Sequence, residues 1–132
     1  MANFLQFQKV VRSILIIDDE PSVGDALKLV LEANGYNVVL TNNGHDGLKH
    51  ARKEHFAFII VDLFLTDAYG FELINEIHES QPELPILLIT GHGSPEIFAE
   101  ARRLGAVGAL SKPFQPEEIL KLINQTLRGP NL

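Results

Sequence analysis

The sequence predicts an α/β fold in which a doubly wound parallel sheet of five strands carries helices on both faces. Two observations predict it. The first is that five short apolar runs alternate with five segments whose apolar residues recur at helical spacing. The second is that only short loops connect these segments. Strands that alternate with helices in this way form parallel sheets through right-handed crossovers. The length of 132 residues and the lack of internal repeats indicate a single domain.

The composition is that of an ordinary globular domain, with 45% hydrophobic residues and a formal net charge of −6. Cysteine is absent, which excludes disulfides and thiolate metal sites. Nucleic acids and membrane surfaces attract basic proteins, so the acidic balance argues against both as partners. No apolar run approaches the roughly 18 residues of a membrane span. We therefore expect a cytoplasmic domain that contacts neither nucleic acid nor membrane.

The domain is expected to occupy residues 13–128. Before it, residues 1–12 form an N-terminal extension in which Phe4 and Phe7 fall near a helical spacing, which predicts a short extra helix. After it, residues 129–132 begin with a Gly-Pro pair that ends the last helix and form a C-terminal tail.

Each strand is predicted from a compact apolar run bounded by turn residues. Such runs are too short for helices and lack polar alternation, so the strands are expected to be buried on both faces. In chain order they cover residues 13–17, 38–40, 59–62, 85–89 and 107–111. The fifth run is the weakest of the set.

Each helix is predicted from an apolar face and from a start or stop signal, because glycine suits a helix end and proline the first turn. In chain order they cover residues 23–34, ended by Gly35; residues 45–55; the segment after Gly70, closed by Pro82; the segment opened by Pro95 and ended by Gly105; and the segment opened by residues 115–118. On the third helix His78 is expected to be exposed. The three histidines of the second helix are spaced five residues apart, so they do not share a face that could bind a metal.

Polar side chains stand at the ends of four of the five strands. Asp18 and Asp19 follow the first strand, Asp62 ends the third, Thr90 follows the fourth and Lys112 the fifth. Because the strands are parallel, these residues lie at one edge of the sheet, where open α/β sheets bind ligands. Each has a purely structural alternative, as a helix cap, a turn residue or a solvated charge. Their coincidence at one edge favours a chemical site.

Three clustered carboxylates repel one another, so the edge predicts a bound cation. Oxygen ligands suit Mg²⁺, with Mn²⁺ as an alternative ion. Beside such a cation the carboxylate of Asp62 can attack a phosphoryl group and form an acyl phosphate. Lys112 supplies further positive charge, and Thr90 supplies a hydrogen bond, as phosphoryl transfer requires.

The sequence resembles the receiver domains of two-component response regulators, the family of the chemotaxis regulator CheY, over residues 13–128. The motifs that carry the resemblance are Leu15-Ile16-Ile17-Asp18-Asp19-Glu20, Val61-Asp62-Leu63 with Gly70 downstream, Thr90-Gly91, and Lys112-Pro113-Phe114. The resemblance implies a flavodoxin-like sheet with strand order 2-1-3-4-5. It also implies a signalling domain, rather than an enzyme, that assists its own phosphorylation and dephosphorylation. A sensor histidine kinase or a histidine phosphotransfer protein would supply the phosphoryl group.

The resemblance assigns a role to each residue of the edge. Asp62 matches the phosphoacceptor, Asp19 the direct Mg²⁺ ligand, and Asp18 the acid that holds the metal through water. The backbone carbonyl of Phe64 matches the third protein ligand of the metal. Lys112 matches the residue that pairs with the phosphoryl group, and the peptide bond to the proline after it is commonly cis in the family.

The switch is expected to be atypical. Thr90 matches the hydroxyl that swings toward the phosphoryl group, but Ala109 stands where the family usually has a tyrosine or phenylalanine that turns inward. The usual coupling between threonine and aromatic ring therefore cannot operate. Phe64 and His92 match positions that tune the lifetime of the phosphoryl group, and the bulky Phe64 is expected to shield it from water.

Partners and alternative functions follow from the same resemblance. The face formed by helix 4, strand 5 and helix 5, around Ala109, is the usual dimer surface, so a homodimer, an output domain or a target protein is expected. One alternative is a protein-interaction module that works without phosphorylation. Another is a phosphohydrolase of the haloacid dehalogenase type, whose Asp-x-Asp motif is absent, because Asp18-Asp19-Glu20 lacks the second aspartate at that spacing.

Overall fold

The structure is a computed structural model that describes residues 11–128. The extra helix was predicted within residues 1–12, of which residues 11 and 12 are described and are not helical. The remainder of that prediction falls on residues 1–10, and the predicted tail comprises residues 129–132. Both therefore lie outside the described residues. None of the described helices is long and apolar enough to cross a membrane.

A parallel sheet of five strands, in the order β2-β1-β3-β4-β5, forms the centre of the domain. The strands are β1 (Ser13–Ile17), β2 (Asn37–Thr41), β3 (Phe58–Asp62), β4 (Ile86–Thr90) and β5 (Gly108–Ser111). The predicted sheet and its order 2-1-3-4-5 are confirmed. The order reverses direction between β1 and β3, which is the position where sheets of this kind bind ligands.

Five helices cover the two faces of the sheet. They are α1 (Pro21–Ala33), α2 (Gly44–Lys53), α3 (Gly70–Ser80), α4 (Pro95–Arg103) and α5 (Pro116–Arg128). Buried residues of α1 and α5 belong to one hydrophobic cluster, and buried residues of α2, α3 and α4 belong to the other. The doubly wound architecture is therefore confirmed.

The alternation of side chains along β3 divides the core between these two clusters. Ile59 and Val61 pack on the side of α2, α3 and α4, whereas Phe58 and Ile60 pack on the side of α1 and α5. All residues of β3 and β4 are buried. Each such aliphatic side chain contributes about 1.5 to 3 kcal/mol by leaving water, which holds the ends of these strands in place.

Helix α2 begins one residue earlier than expected because two side chains cap its N-terminus. Asn43 accepts a hydrogen bond from the backbone N–H of Asp46 at 2.8 Å. The carboxylate of Asp67, in the loop after β3, accepts the N–H groups of Gly44 and His45 at 2.7 and 2.9 Å. Since these N–H groups have no partner within the helix, the carboxylate satisfies them and joins the loop to α2.

Two glycines end helices as predicted, and one of them explains a wrong prediction. Gly35 and Gly105 have φ values of 92° and 119°, which side chains other than glycine rarely adopt. His78 was expected to be exposed but is partly buried, because its ring lies where a Cβ on Gly105 would be. The missing side chain lets the turn after α4 approach α3 closely enough to cover the histidine.

Candidate functional site

Asp62 is the last residue of β3 and is only 6% exposed. Gly70, the first residue of α3, passes directly over the end of this strand. A Cβ on Gly70 would lie 2.5 Å from the carbonyl oxygen of Asp62, and its N–H donates to the carbonyl of Leu63 at 2.6 Å. The glycine in the downstream motif is therefore required by the close approach of two backbones, which fixes the position of Asp62.

Asp18 follows β1 and is 2% exposed. Its backbone N–H donates to the carbonyl of Thr41 at 3.0 Å, and its Oδ1 accepts the N–H of Glu20 at 2.9 Å. Its other carboxylate oxygen, Oδ2, is buried, accepts no well-aligned hydrogen bond and lies 3.2 Å from the ammonium of Lys112. A buried carboxylate is costly unless positive charge lies beside it, so this position favours a cation.

Lys112 joins these acids from the end of β5. Its Nζ lies 2.8 Å from Oε1 of Glu20, 3.1 Å from Oδ2 of Asp62 and 3.2 Å from Oδ2 of Asp18. The backbone holds the residue firmly, because its N–H donates to the carbonyl of Thr90 at 2.8 Å. The peptide bond between Lys112 and the proline after it is cis, as the resemblance implied. One ammonium thus faces three carboxylates, which leaves an excess of negative charge.

The electrostatics of the site follow from this excess. Burial and the neighbouring charge of Asp18 raise the pKa of Asp62 from 3.8 to about 6, although Lys112 opposes the shift. Burial alone would lower the pKa of Lys112, but its hydrogen bond to Glu20 and the charges of Asp18 and Asp62 hold that pKa above its ordinary value. Near neutral pH Asp62 is therefore mostly ionised and Lys112 is cationic.

Within residues 11–128, one group of acidic side chains is arranged so that it can hold a metal ion. We call it the acidic cluster: oxygens of Asp18, Glu20 and Asp62 lie within 4.8 Å of one another. Carboxylate oxygens this close together, with a single ammonium among them, suit a hard divalent cation. The expected ligand Asp19 is partly exposed and lies outside this group. Its metal role stays a prediction.

Glu20 is the member of the acidic cluster that sequence reasoning missed. It is the N-cap residue of α1 and precedes Pro21, so its position indicates a helix start. A third consecutive acid after the strand was the available signal. Its contact with Lys112 depends on where an ammonium from the far end of the chain is carried, which local sequence does not reveal.

Thr90 and the two expected tuning residues lie beside the acidic cluster. Thr90 is fully buried, directly follows the strand partner of Asp62, and its Oγ1 accepts the N–H of His92 at 3.0 Å. Phe64 is 44% exposed, and its ring meets the ring of His92 edge to face at a centroid distance of 5.2 Å. The ring of Tyr69 meets Phe64 from another direction at 5.7 Å. Aromatic pairs of this geometry attract one another, so the rings form a joint cover at this edge.

Ala109 lies in the middle of β5, opposite Leu88 of β4. It is partly buried and packs against the cluster on the side of α2, α3 and α4. Because the residue is alanine, β5 presents only a methyl group and no aromatic ring at this position.

Comparison with known proteins identifies the family. A family model for the response regulator receiver domain matches residues 14–124. The chain belongs to this family. Receiver domains are signalling domains of two-component systems and work with histidine kinases and output domains.

Individual receiver proteins match over most of the chain. The CheY-like receiver domain protein of Methanospirillum hungatei JF-1 is 30% identical with a TM-score of 0.86, and the match covers 90% of this chain and 95% of that one. The chemotaxis regulator CheY4 of Vibrio cholerae is 34% identical with a TM-score of 0.82, covering 89% and 99%. The transcriptional regulatory protein FixJ of Bradyrhizobium diazoefficiens is 31% identical over 115 residues, 87% of this chain but 56% of FixJ. The chain spans about a quarter to about half of the length of the curated relatives it matches.

Proposed function

We propose that this receiver domain accepts a phosphoryl group on Asp62 and transmits the signal by a conformational change. The observation that carries the proposal is the contact of one lysine with both buried aspartates: Lys112 lies 3.1 Å from Asp62 and 3.2 Å from Asp18. Such a cluster is expensive to build for stability alone, because buried like charges repel one another. A site that receives a phosphoryl group would explain why these charges are placed together despite that cost.

The chain's own residues supply the nucleophile and part of the neutralising charge. A carboxylate oxygen of Asp62 forms a bond to phosphorus while the bond between phosphorus and the donor's nitrogen or oxygen breaks. Lys112 stays protonated and turns from a carboxylate to the phosphoryl oxygens as negative charge collects there. Thr90 offers its hydroxyl as a hydrogen-bond donor. The same residues assist hydrolysis, in which a water oxygen bonds to phosphorus, the bond between phosphorus and the Asp62 oxygen breaks, and inorganic phosphate leaves with the carboxylate restored.

The acidic cluster fits Mg²⁺ because the charge of its three carboxylates exceeds the single charge of Lys112. Asp18 and Asp62 are the direct candidates to hold the ion, with Asp19 and the backbone carbonyl of Phe64 assigned by family resemblance; Mn²⁺ would suit the same oxygens. When bound, the ion neutralises charge on the transferring phosphoryl group. Glu20 is a further carboxylate within reach of the same position.

The proposed donor is a sensor histidine kinase or a histidine phosphotransfer protein. The proposed recipients of the signal are an output domain, a target protein, or a second copy of the chain that binds through α4, β5 and α5. These partners are proposed because the chain belongs to the receiver family and because the carboxyl edge of its sheet carries the complete set of acidic residues, threonine and lysine.

The test uses the full chain with Mg²⁺ and acetyl phosphate, a small acyl phosphate, followed by intact-mass measurement. The wild type is expected to gain one phosphoryl group and Asp62→Asn none. Asp67→Asn is the matched control, since it removes a carboxylate of the same loop that lies outside the acidic cluster, and it should gain the group. An equal mass gain on the wild type and Asp62→Asn would overturn the proposal.

Ala109 favours a second candidate, a receiver that works by protein interaction without phosphorylation. The same experiment distinguishes this candidate from the first, because it predicts that no variant gains mass. Under this alternative the acidic cluster would serve only to bind a cation.

A further inference from the structure

The side of the sheet that faces α4 contains the residues through which a signal from Asp62 would leave. Leu88, two residues before Thr90, packs in the cluster that includes α4, so the side chain of Thr90 points to the same side. Thr90 pairs with Ser111 at the ends of β4 and β5. Ala109, two residues before Ser111, shares this side but has only a methyl group. A side chain other than Ala109 must therefore respond when the hydroxyl of Thr90 changes its orientation.

The backbone after Thr90 is tied to the threonine hydroxyl. Thr90 Oγ1 accepts the N–H of His92 at 3.0 Å, and Thr90 is fully buried. A hydroxyl that rotates toward a phosphoryl group on Asp62 carries its oxygen away from that N–H. The segment that contains His92 and Gly93 then loses its anchor and shifts.

Gly93 passes any such shift directly to a side chain of α4. Gly93 is exposed, but Phe98 and Ser111 cover one side of its α-carbon: a Cβ there would collide with the Ser111 hydroxyl and lie 2.9 Å from Cζ of Phe98. Gly93 directly precedes the cap residue Ser94. Phe98 lies in the first turn, where its N–H donates to the carbonyl of Ser94 at 3.0 Å. The ring thus contacts the loop backbone on this side, so a shift of Gly93 displaces it.

Phe98 also has room to respond. It is partly buried and lines an open groove of about 480 Å³ between α4 and β5, together with Gly93, Ser94, Arg102 and Ser111. We call this space the α4–β5 groove. A ring displaced from Gly93 can enter or leave the groove without disturbing the core, since Ala101 is the buried residue of α4.

We propose that Phe98 is the aromatic residue that reports the state of Asp62 in this receiver. The route runs from the hydroxyl of Thr90 through the backbone of His92 and Gly93 to the ring of Phe98. The readout of phosphorylation is then the shape of the α4–β5 groove, which changes on helix α4 rather than on strand β5. This inference rests on the proposed function, because it requires a phosphoryl group on Asp62.

The experiment follows the full chain by NMR before and after Mg²⁺ with beryllofluoride, a stable phosphoryl mimic, while intact mass after acetyl phosphate reports phosphorylation in parallel. In the wild type we expect shifts in the ring signals of Phe98 and in the amides of His92, Gly93, Ala99 and Arg102. Phe98→Leu should keep phosphorylation and the loop shifts at His92 and Gly93 but lose the shifts on α4. Thr90→Val is expected to be phosphorylated more slowly, because it lacks the hydroxyl, and should lose the shifts at Phe98 even when intact mass shows the same phosphoryl occupancy as the wild type.

Phe71→Leu is the matched control, because Phe71 is likewise a partly buried phenylalanine in the first turn of a helix; it packs against the cluster on the side of α2, α3 and α4 and does not line the α4–β5 groove. It should lose similar stability yet keep the shifts on α4. Equal loss in both variants would show a merely structural role and overturn the inference. Phosphorylation without movement of Phe98 would overturn it while leaving the proposed function intact. No phosphorylation of the wild type would overturn both.

Discussion

All residues of β3, which ends at Asp62, are buried, whereas no residue of β5 is fully buried. The helices show the same contrast, since α3 buries Leu73, Ile74 and Ile77 but α4 buries Ala101 alone among its side chains. The end of β3 is thus held from both faces of the sheet. The α4–β5 side is held more loosely and contains a groove. A chemical site needs side chains fixed within a fraction of an ångström, while a reporting surface needs alternative packings of similar energy.

The largest difference between these regions is expected in their contribution to stability. Ile60 of β3 is fully buried and Leu110 of β5 partly buried, yet both pack on the side of α1 and α5. We expect Ile60→Ala to lower the free energy of unfolding by about 2 to 5 kcal/mol. Leu110→Ala should lower it by about 1 to 2 kcal/mol, because less surface is re-exposed. Urea unfolding of both variants measures this, and equal losses would contradict the contrast.

The buried charge of Asp62 should reduce stability when no metal is present. Its pKa is raised from 3.8 to about 6, so the folded state holds a proton that the unfolded state releases. Stability is then lost as the pH rises from about 4 to 6. We expect Asp62→Asn to be up to about 3 kcal/mol more stable than the wild type at pH 7.5 in chelator.

Urea unfolding between pH 5 and 7.5 tests this expectation for Asp62, with the exposed acid Asp25 as the site of a control variant, Asp25→Asn. The advantage of Asp62→Asn should shrink toward low pH and when Mg²⁺ is added, because metal binding stabilises the folded wild type. A wild type that matches Asp62→Asn in chelator at pH 7.5 would show that the charge carries no penalty.

A smaller effect is expected where the two regions meet, at the contact between the rings of Phe64 and His92. Phe64 lies two residues after Asp62 and His92 belongs to the loop that leads to α4, and their ring centroids are 5.2 Å apart. Phe64→Asn removes the cover, and since such pairs contribute about 0.5 to 1.5 kcal/mol, hydrolysis should accelerate about two- to tenfold. Mass measured against time after removal of the phosphodonor checks the rate. An unchanged rate would mean that Phe64 does not shield the acyl phosphate.

The smallest effect concerns Asp67, a carboxylate five residues from Asp62 with a pKa shift of the opposite sign. Hydrogen bonds from the N–H groups of Gly44 and His45 lower the pKa of Asp67 below 3.8. The contribution of the Asp67 carboxylate to the stability of the folded state is therefore present above about pH 4, and it is lost as the pH falls through the pKa of the folded state. We expect Asp67→Asn to cost about 0.5 to 1 kcal/mol near neutral pH, as for other groups at helix N-termini. Thermal unfolding at several pH values should show the cost fading with acid, and a constant cost would contradict the assignment.

Much of the fold and of the site could be predicted because parallel topology turns local patterns into a long-range arrangement. Each apolar run predicts a strand, and parallel strands bring Asp18, Asp62 and Lys112 to one edge regardless of their distance along the chain. The contact between Glu20 and Lys112 could not be predicted, because it depends on the direction of a long side chain. The burial of His78 escaped prediction for a related reason, since it depends on how closely a glycine in another element approaches.

The sequence by itself determined the order of the elements, the two-sided burial of the central strands and the set of charged residues at the sheet's carboxyl edge. These follow from hydrophobic periodicity and from turn residues, which act over a few positions. Only the tertiary structure decided that Glu20 joins the acidic cluster, that Asp67 caps α2, and that Ser111 of β5 approaches Gly93. Those contacts join residues whose spacing carries no pattern, because they arise where separate helices and loops meet in space.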